Sequence, residues 1–312
     1  MFFKTIVEEI CNEENINCKF ISKNWIIVME KNGVTKFITG YKFGINNHAI
    51  GELLDDKYAT YELLKMKDIP VIEHNILYAE RNNNYYAEGC NNLAYAKNLL
   101  YKYNNDIVIK INDGTCGMNV MHVQNEDELR SQYQRLSEKY FSMSICPFYD
   151  IENEYRAIVL NNNVELVYKK VKPVVIGDGN KTVKELLLEF NEVYFKNVKD
   201  DNLEKVLEKN EEFEYDWHFN LARGARASLD INDDIMDKLK CLATDTSNKI
   251  GLGFGSIDII KTKDNRFFVM EINSGVMMEN FIKQIPNGYM IAKNVYKKAI
   301  NYYNWSVNQT HK

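Results

Sequence analysis

Two short apolar runs with a polar turn between them constrain the fold of this chain more than any other feature. Residues 256–260 and 269–273 are rich in isoleucine and valine, and the turn between them contains Asp264-Asn265. Runs of this kind predict the two antiparallel strands of a β-hairpin. If Asp264-Asn265 are the two loop residues, counting outward along the ladder places Asp258 directly opposite Glu271.

This pairing predicts a metal site. Side chains alternate along a strand, so Asn273 shares a face with Glu271 and with Asp258. Opposed Cβ atoms lie about 4.5 to 5.5 Å apart, and two carboxylates at that distance repel each other unless a cation lies between them. Their oxygens suit Mg²⁺, which adds water and phosphate oxygens to its coordination shell. The alternative is a surface hairpin with solvated acids, which the apolar flanking residues disfavour.

Composition places the chain among globular proteins and excludes several classes of function. Its 312 residues are 45% hydrophobic and 27% charged, as expected for two or three lobes of ordinary size. The net charge of −5, without a strongly basic run, argues against a nucleic-acid partner. The six cysteines lack CxxC spacing, which predicts free thiols in a reducing cytosol. Without an apolar leader or a run of about 18 apolar residues, we expect a cytoplasmic protein that binds no membrane.

The order of the predicted elements is that of an α+β fold. Residues 1–55 predict a small N-terminal segment with a helix at 5–15 and strands at 25–30 and 34–39 joined by Asn32-Gly33. Further helices are predicted at 57–67, 91–103, 126–140, 183–194 and 233–250 and after Asn287-Gly288, with strands at 107–111, 120–123, 141–149, 154–160 and 164–170. Asn161-Asn162 predicts a hairpin turn. We therefore expect mostly antiparallel sheets faced by helices.

A lysine followed by a glycine loop forms a second chemical motif. Lys110 lies in a predicted strand, and the loop after it contains Gly114 and Gly117. Such a loop lets backbone N–H groups approach phosphate oxygens, while the ammonium neutralises their charge. The motif is not a Walker A loop, because its lysine precedes the glycines. On its own, Asp113-Gly114 is equally well explained as a hairpin turn.

Five segments in order resemble the motifs of the ATP-grasp carboxylate–amine ligases, with local patterns similar to cyanophycin synthetase, glutathione synthetase and the ribosomal-protein glutamate ligases. The resemblance covers residues 55–285. The segments are the helix from Lys57 with Ile69-Pro70-Val71, Lys110 with its glycine loop, Cys146-Pro147-Phe148-Tyr149 with Glu154-Tyr155-Arg156, the stretch 173–183, and Asn220-Leu221-Ala222-Arg223-Gly224 before Asp258, Glu271 and Asn273. Five motifs in order are much more specific than one.

The resemblance implies an ATP-grasp fold of the α+β class, in which two α+β subdomains grip ATP. The central subdomain would be residues 56–145 and the C-terminal subdomain residues 146–312, after the short N-terminal segment 1–55. The implied reaction joins a carboxylate to an amine through an acyl phosphate. ATP and two Mg²⁺ ions, or Mn²⁺ in their place, would be the cofactors. The partners would be small-molecule or peptide carboxylate and amine substrates, with a homodimer left open.

The resemblance also implies roles for individual residues. Asp258, Glu271 and Asn273 would hold the metal ions, and Arg156 and Arg223 would stabilise the transferred phosphoryl group. The nucleotide would be bound by Lys57, Lys110, Gly114, Gly117, Cys146, Pro147, Phe148, Glu154 and Asn220.

The chain departs from the family pattern at three positions. Pro147 has no N–H, so a neighbour such as Phe148 would donate to adenine. Ala225 stands where a second glycine is common. His218 stands where glutathione synthetases carry an arginine, which shifts stabilisation of the acyl phosphate to Arg223 and Arg156.

Structural alternatives remain for several of these residues. Lys57 is also explained as a solvated first-turn lysine, Arg156 as the partner of Glu154 or Glu152, and Arg223 as a solvated loop residue. Lys169, Lys170 and Lys172 are candidates for the site, although most such lysines are solvated. Alternative functions are an ATP-grasp phosphoryl transferase, a thioester-forming ligase and a nucleotide-binding pseudoenzyme.

Overall fold

The structure is a computed structural model that describes residues 1–82, 85–114, 117–190 and 202–306. Within these ranges the strands form sheets of four, five, two and four strands. The strand pairs are antiparallel, as expected. None of the helices in the described part of the chain combines the length and the apolar character that a bilayer crossing requires.

The elements follow the predicted order, with boundaries moved by a few residues. The helices are α1 (Phe2–Glu13), α2 (His48–Asp55), α3 (Lys57–Met66), α4 (Leu93–Lys102), α5 (Glu126–Ser137), α6 (Val183–Phe190), α7 (Asp233–Ile250), α8 (Glu279–Gln284) and α9 (Gly288–Tyr302). The strands are β1 (Asn17–Ile21), β2 (Ile26–Lys31), β3 (Val34–Thr39), β4 (Lys42–Phe43), β5 (Asn75–Tyr78), β6 (Ile107–Ile111), β7 (Met121–Val123), β8 (Ser142–Pro147), β9 (Ile151–Leu160), β10 (Asn163–Val171), β11 (Val174–Ile176), β12 (Glu212–Glu214), β13 (Arg226–Ser228), β14 (Phe254–Thr262) and β15 (Phe267–Asn273). The sequence pattern misses the helices α2 and α8 and the short strands β1, β4, β5, β11, β12 and β13. The predicted helix 183–194 extends past the described residues.

The N-terminal segment forms the sheet β1-β2-β3-β4, with α1 packed on one face. The turn between β2 and β3 is the predicted Asn32-Gly33, with φ angles of 52° and 75° as a type I′ turn requires. Phe3 and Ile10 of α1 share one core with Phe254 of β14 and Tyr296 of α9. The segment thus buries its apolar side chains against the C-terminal part of the chain. The division into 1–55, 56–145 and 146–312 stays a prediction.

The five-stranded sheet has the order β13-β10-β9-β14-β15, and one of its faces is apolar. On this face Tyr155 and Val159 of β9 pack with Ile257 of β14 and with Leu239 and Ala243 of α7. Removing this apolar surface from water supplies most of the free energy that holds the strands together. The alternate residues of the same strands face the opposite side, where the charged side chains lie.

The central sheet has the order β5-β8-β6-β7 and is covered by α4 and α5. Strand β6 is buried at all five positions, which agrees with its four apolar residues and carries Lys110 into the interior. The side chain of Asn125 caps α5 by accepting the N–H of Glu128 at 2.9 Å. The start of α5 is thus set by a local capping signal in the sequence.

The hairpin turn between β14 and β15 differs from the prediction. Thr262 N–H donates to Arg266 O at 3.0 Å, and Asn265 N–H donates to Thr262 O at 2.8 Å. Asn265 has a φ of 67°, so residues 263–265 form a three-residue loop that ends in the left-handed conformation. The prediction that Asp264-Asn265 alone form the loop is wrong.

The predicted pairing of Asp258 with Glu271 is nevertheless confirmed. The register shifts between Asp258 and Ile259, because Ile259 pairs with Val269 and leaves Met270 as an extra residue on β15. This bulge offsets the extra loop residue. The longer loop and the bulge each shift the register by one residue, and the two shifts cancel at the pair of Asp258 and Glu271.

The Asn46 side chain ties the N-terminal segment to β14, and its loss should destabilise the fold. Its Oδ1 accepts the N–H groups of Gly253 at 2.8 Å and Phe254 at 2.9 Å, and its Nδ2 donates to Phe254 O at 2.6 Å. Asn46→Ala leaves these backbone groups unpaired and should lower the free energy of unfolding by about 2 to 4 kcal/mol. Urea denaturation followed by circular dichroism measures this loss. Asn12→Ala, an exposed change on α1, should alter it by less than about 0.5 kcal/mol, and equal effects would contradict the assignment.

Candidate nucleotide and metal site

The charged residues of the candidate site lie side by side on the second face of the five-stranded sheet, in two adjacent lines of the register that together form a charged row. Asp258 of β14 lies between Arg156 of β9 and Glu271 of β15 in the strand register. Glu154 of β9 pairs with Lys170 of β10 in the same sheet. Alternation along the strands directs all five side chains to one face. The sheet order therefore brings together residues of four strands.

Asp258 is the most enclosed carboxylate of this row. The Arg156 guanidinium donates from Nε to Oδ1 and from Nη2 to Oδ2, both at 2.7 Å, and Lys170 Nζ lies 3.1 Å from Oδ1. Asp258 is only 2% exposed. Burial alone would raise the pKa of Asp258, but Arg156 and Lys170 outweigh burial and hold the pKa at about 2. The acid is therefore ionised, and the solvated-hairpin alternative is wrong.

Lys170, one of the three lysines named as candidates from the sequence, is a member of the site. It forms an ion pair with Glu154, and both side chains are buried. Burial raises the pKa of Glu154 to about 7 against the opposing charge of Lys170. Glu154, which the family resemblance assigns to ribose, thus lies inside the sheet as the partner of Lys170. Strand alternation separates Lys170 from Lys169 but not from Lys172, so no sequence signal distinguishes it from its neighbours.

Lys57, the first residue of α3, connects the glycine loop with the hairpin. Its ammonium donates to the carbonyl oxygens of Asn112 at 3.3 Å and of Gly114, and it lies 3.6 Å from Glu271 Oε1. The side chain is 11% exposed, so the alternative of a solvated lysine is wrong. Burial lowers the pKa of Lys57, Glu271 opposes that shift, and nearby Lys110 adds to it.

Asn112 fixes this connection and was also missed. It is 2% exposed, its backbone oxygen accepts the N–H of Lys57 at 3.2 Å, and its Oδ1 accepts the N–H of Tyr58 at 3.1 Å. The start of α3 is thereby attached to the end of β6. A polar residue directly after a strand that is apolar except for Lys110 is the one sequence signal for this role.

Lys110 lies beside this connection without an ion-pair partner of its own. It is buried, and within the described part of the chain its ammonium makes no hydrogen bond or ion pair. It pairs in the ladder with Ser144, whose Oγ lies 2.6 Å from His74 Nδ1. Burial, together with Lys110 and Lys57, keeps the pKa of His74 well below its usual value. The Lys110 charge thus remains available to an anionic ligand.

The glycine loop meets the second loop of the resemblance at Asn220. Gly117 has a φ of 66°, and a Cβ there would lie 2.6 Å from Asn220 Nδ2, so only glycine fits this contact. The Asn220 side chain also accepts the N–H of Ala222 at 2.8 Å. Gly114 lies at the other end of the loop, against Ile111. Residues 115–116 between them lie outside the described residues.

Arg223 lies beside this loop in an ion pair with Asp216, which also contacts His218. Its Nε donates to Asp216 Oδ2 at 2.7 Å, while Asp216 Oδ1 lies 2.5 Å from His218 Nδ1. Arg223 is 30% exposed, so it is held at its base and remains accessible. His218 thus contacts the same carboxylate, Asp216, as Arg223 does. Arg223 is the residue to which the role of the family's missing arginine is assigned.

The predicted adenine segment is bound within the central sheet. Cys146 and Pro147 pair with Val108 and Ile107 of β6. The N–H of Phe148 donates to Asp106 O at 2.9 Å, so it would have to give up this bond to donate to adenine.

An aromatic cluster covers this segment. The Phe148 ring stacks on His122 at 4.0 Å and contacts the edge of Trp217 at 5.7 Å. His122 Nε2 lies 2.5 Å from Asp106 Oδ1, which fixes the orientation of its ring. The cluster therefore links the predicted adenine segment to the loop that carries His218.

The residues of the row fit a magnesium ion in their chemistry. Asp258, Glu271 and Asn273 offer hard oxygen ligands on neighbouring strands. Asn273 pairs with Ser256, whose buried Oγ lacks a hydrogen-bond partner among the described residues, so a polar ligand is suited to this position. No three His, Cys, Asp or Glu side chains converge in the described ranges, so Asn273 is needed to complete the set.

Comparisons with known proteins agree with the predicted family motifs. Residues 201–298 match the family model of the RimK-like ATP-grasp domain. The comparison with curated proteins gives no match. The matched region includes the loop of Asn220 and Arg223 and the hairpin that carries Asp258 and Glu271.

Solved structures share the fold at low sequence identity. The bifunctional glutathione synthetase from Pasteurella multocida is 15% identical, with a TM-score of 0.53 over 92% of this chain and 42% of that one. The D-alanine–D-alanine ligase from Bacillus anthracis is 13% identical, with a TM-score of 0.53 over 82% and 67% of the two chains. D-cycloserine synthetase DcsG is 14% identical, with a TM-score of 0.50 over 82% and 73%.

The chain spans less than half the length of the Pasteurella protein, so the likeness concerns the fold and not that protein's whole activity. The domain match and the structural likeness together confirm the α+β ATP-grasp fold that the five motifs predict. This chain has the ATP-grasp fold, and its residues 201–298 match the family model of the RimK-like ATP-grasp domain.

Proposed function

We propose that the protein is an ATP-dependent ligase that joins a carboxylate to an amine through an acyl phosphate and releases ADP and phosphate. The contact of Lys57 with both the glycine loop and Glu271 carries this proposal. It brings a loop suited to phosphate oxygens next to a hairpin suited to a metal ion. The substrates would be amino acids or peptides, as the ligase names of the structural neighbours suggest.

Phosphoryl transfer requires positioning and charge neutralisation more than covalent help from the protein. Asp258, Glu271 and Asn273 would hold two Mg²⁺ ions, or Mn²⁺ in their place. When bound, the ions would neutralise phosphate charge and align the γ-phosphate with the attacking carboxylate. Lys110, which has no ion-pair partner among the described residues, would contact the phosphates together with Lys57.

Two arginines would act on the group that is transferred. The guanidinium of Arg156 lies in the metal row, and that of Arg223 lies beside the loop of Asn220. A planar guanidinium matches the charge that spreads over the phosphoryl oxygens and later over the oxyanion of the amine adduct. Gly114, Gly117 and Asn220 would cover the phosphates, while the Cys146-Pro147-Phe148 segment and Glu154 remain the proposed contacts for adenine and ribose.

Glu271→Gln should abolish turnover without unfolding the protein. The substitution keeps the shape of the side chain but removes the negative charge that would hold the metal ions, and should slow ADP release at least about 100-fold. ADP release with Mg²⁺ is measured over a panel of the twenty amino acids and short peptides, each tested as acid and as amine. Glu30→Gln, on the distant strand β2, should leave the rate unchanged. A near-normal rate in Glu271→Gln with an unchanged melting temperature would contradict the assignment of Glu271 as a metal ligand.

Isotope transfer tests the acyl phosphate directly. A carboxylate substrate labelled with ¹⁸O should pass one label to inorganic phosphate, and hydroxylamine should trap a hydroxamate when the amine is withheld. Arg223→Ala should slow both reactions about 100- to 1,000-fold, because it removes a donor to the developing negative charge, whereas His218→Ala should cost less. Phosphate transferred to a stable product, without label in free phosphate, would instead favour a phosphoryl transferase. A thioester product would instead favour a thioester-forming ligase.

A further inference from the structure

Asp258, a carboxylate proposed to bind metal, is already paired with cationic side chains of the protein. Both oxygens of Asp258 accept hydrogen bonds from Arg156, and Lys170 approaches one of them. Glu271 faces Lys57, and Glu154 faces Lys170. Every carboxylate of the row therefore has a cationic partner from the chain itself.

The cations around Asp258 oppose the entry of a bare cation. Arg156 and Lys170 both contact Asp258, and Lys57 contacts Glu271, so cationic side chains already neutralise the two carboxylates that would bind metal. In this buried setting the charges are poorly screened. A bare divalent cation would be repelled by these side chains, while a triphosphate would be attracted to them.

We propose that Arg156 and Lys170 exclude bare divalent metal from Asp258, so that metal enters the site only together with the phosphates of the nucleotide. The inference rests on the proposed function, because it takes Asp258, Glu271 and Asn273 as the metal ligands.

The exchange depends on the chemistry of Arg156. A guanidinium forms two parallel hydrogen bonds to a phosphate as readily as to a carboxylate. When phosphates arrive, Arg156 can transfer its two bonds to them, and the Asp258 oxygens become free to bind metal. Arg156 is then directed at the transferred group, as the proposed mechanism requires. Arg156 thus pairs with Asp258 before the nucleotide binds and with the phosphate afterwards.

Stability alone does not explain this arrangement. Buried ion pairs contribute little net stability, since the cost of removing charges from water offsets their attraction. The same sheet fills its opposite face with apolar residues such as Ile257 and Val159. A charged row that is confined to the face of the candidate site is therefore better explained by ligand exchange than by folding.

Mn²⁺ binding measured by electron paramagnetic resonance tests the inference without any catalytic readout. The unmodified protein should bind Mn²⁺ about 10- to 100-fold more weakly without AMP-PNP than with it. Arg156→Gln, which releases both oxygens of Asp258 and lowers the net charge by one, should bind Mn²⁺ alone at least about tenfold more tightly than the unmodified protein. Arg156→Lys keeps the charge and should resemble the unmodified protein. Adding Asp258→Asn to Arg156→Gln should remove the gained site.

Each result separates the inference from the proposed function. Equal Mn²⁺ affinity with and without AMP-PNP, or a folded Arg156→Gln protein without a gain, would overturn the counter-ion role and leave the metal site standing. No bound Mn²⁺ even with AMP-PNP would overturn the metal site itself. If circular dichroism shows that Arg156→Gln does not fold, Lys170→Gln, which removes the second cation beside Asp258, should show the same gain. Lys172→Gln, whose partner is Glu214 outside the row, is its control. A folded Lys170→Gln protein that binds Mn²⁺ no more tightly would likewise overturn the inference.

Discussion

The pairing of Asp258 with Arg156 across two neighbouring strands is the interaction on which the candidate site depends. A carboxylate this deeply buried stays ionised only if cations replace the water that it has lost. Two strands, β9 and β10, supply those cations at the positions that the sheet register sets. The register in turn is held by the apolar face beneath α7. Hydrophobic packing on one side of the sheet thus maintains the charge arrangement on the other.

A weaker set of contacts joins this rigid row to the part of the molecule that would hold the nucleotide. Asn112 fixes the first residues of α3 through its backbone and side-chain oxygens, and Lys57 then reaches the partly exposed Glu271 over 3.6 Å. Such a long contact to an accessible carboxylate is easily exchanged for a ligand. The site therefore combines a tightly paired acid with an acid whose partner can leave. This difference follows from burial and not from residue type.

The fold was predictable from sequence because each motif couples particular residue types to a strand end or a turn, and five such motifs occur in order. Hairpin register is also local, so Asp258 and Glu271 could be paired by counting, although the count succeeded only because the longer loop and the bulge at Met270 offset each other. The partners of Asp258 could not be predicted from the sequence. Arg156 lies 102 positions away, and no local pattern states which strands become neighbours. Lys170 consequently resembled a solvated lysine.

The shared core of α1 and α9 has a consequence for how this chain is made. Phe2 and Phe3 donate their N–H groups to Glu279, and Lys293 of α9 pairs with Glu9 of α1. At about 5 to 20 residues per second, a ribosome needs roughly 15 to 55 s to proceed from α1 to Glu279. During that time the sheet β1-β2-β3-β4 can cover one part of α1, but the side chains of α1 that pack on α9 have no native partner. The core of the N-terminal segment is thus completed only after α8 and α9 have been synthesised.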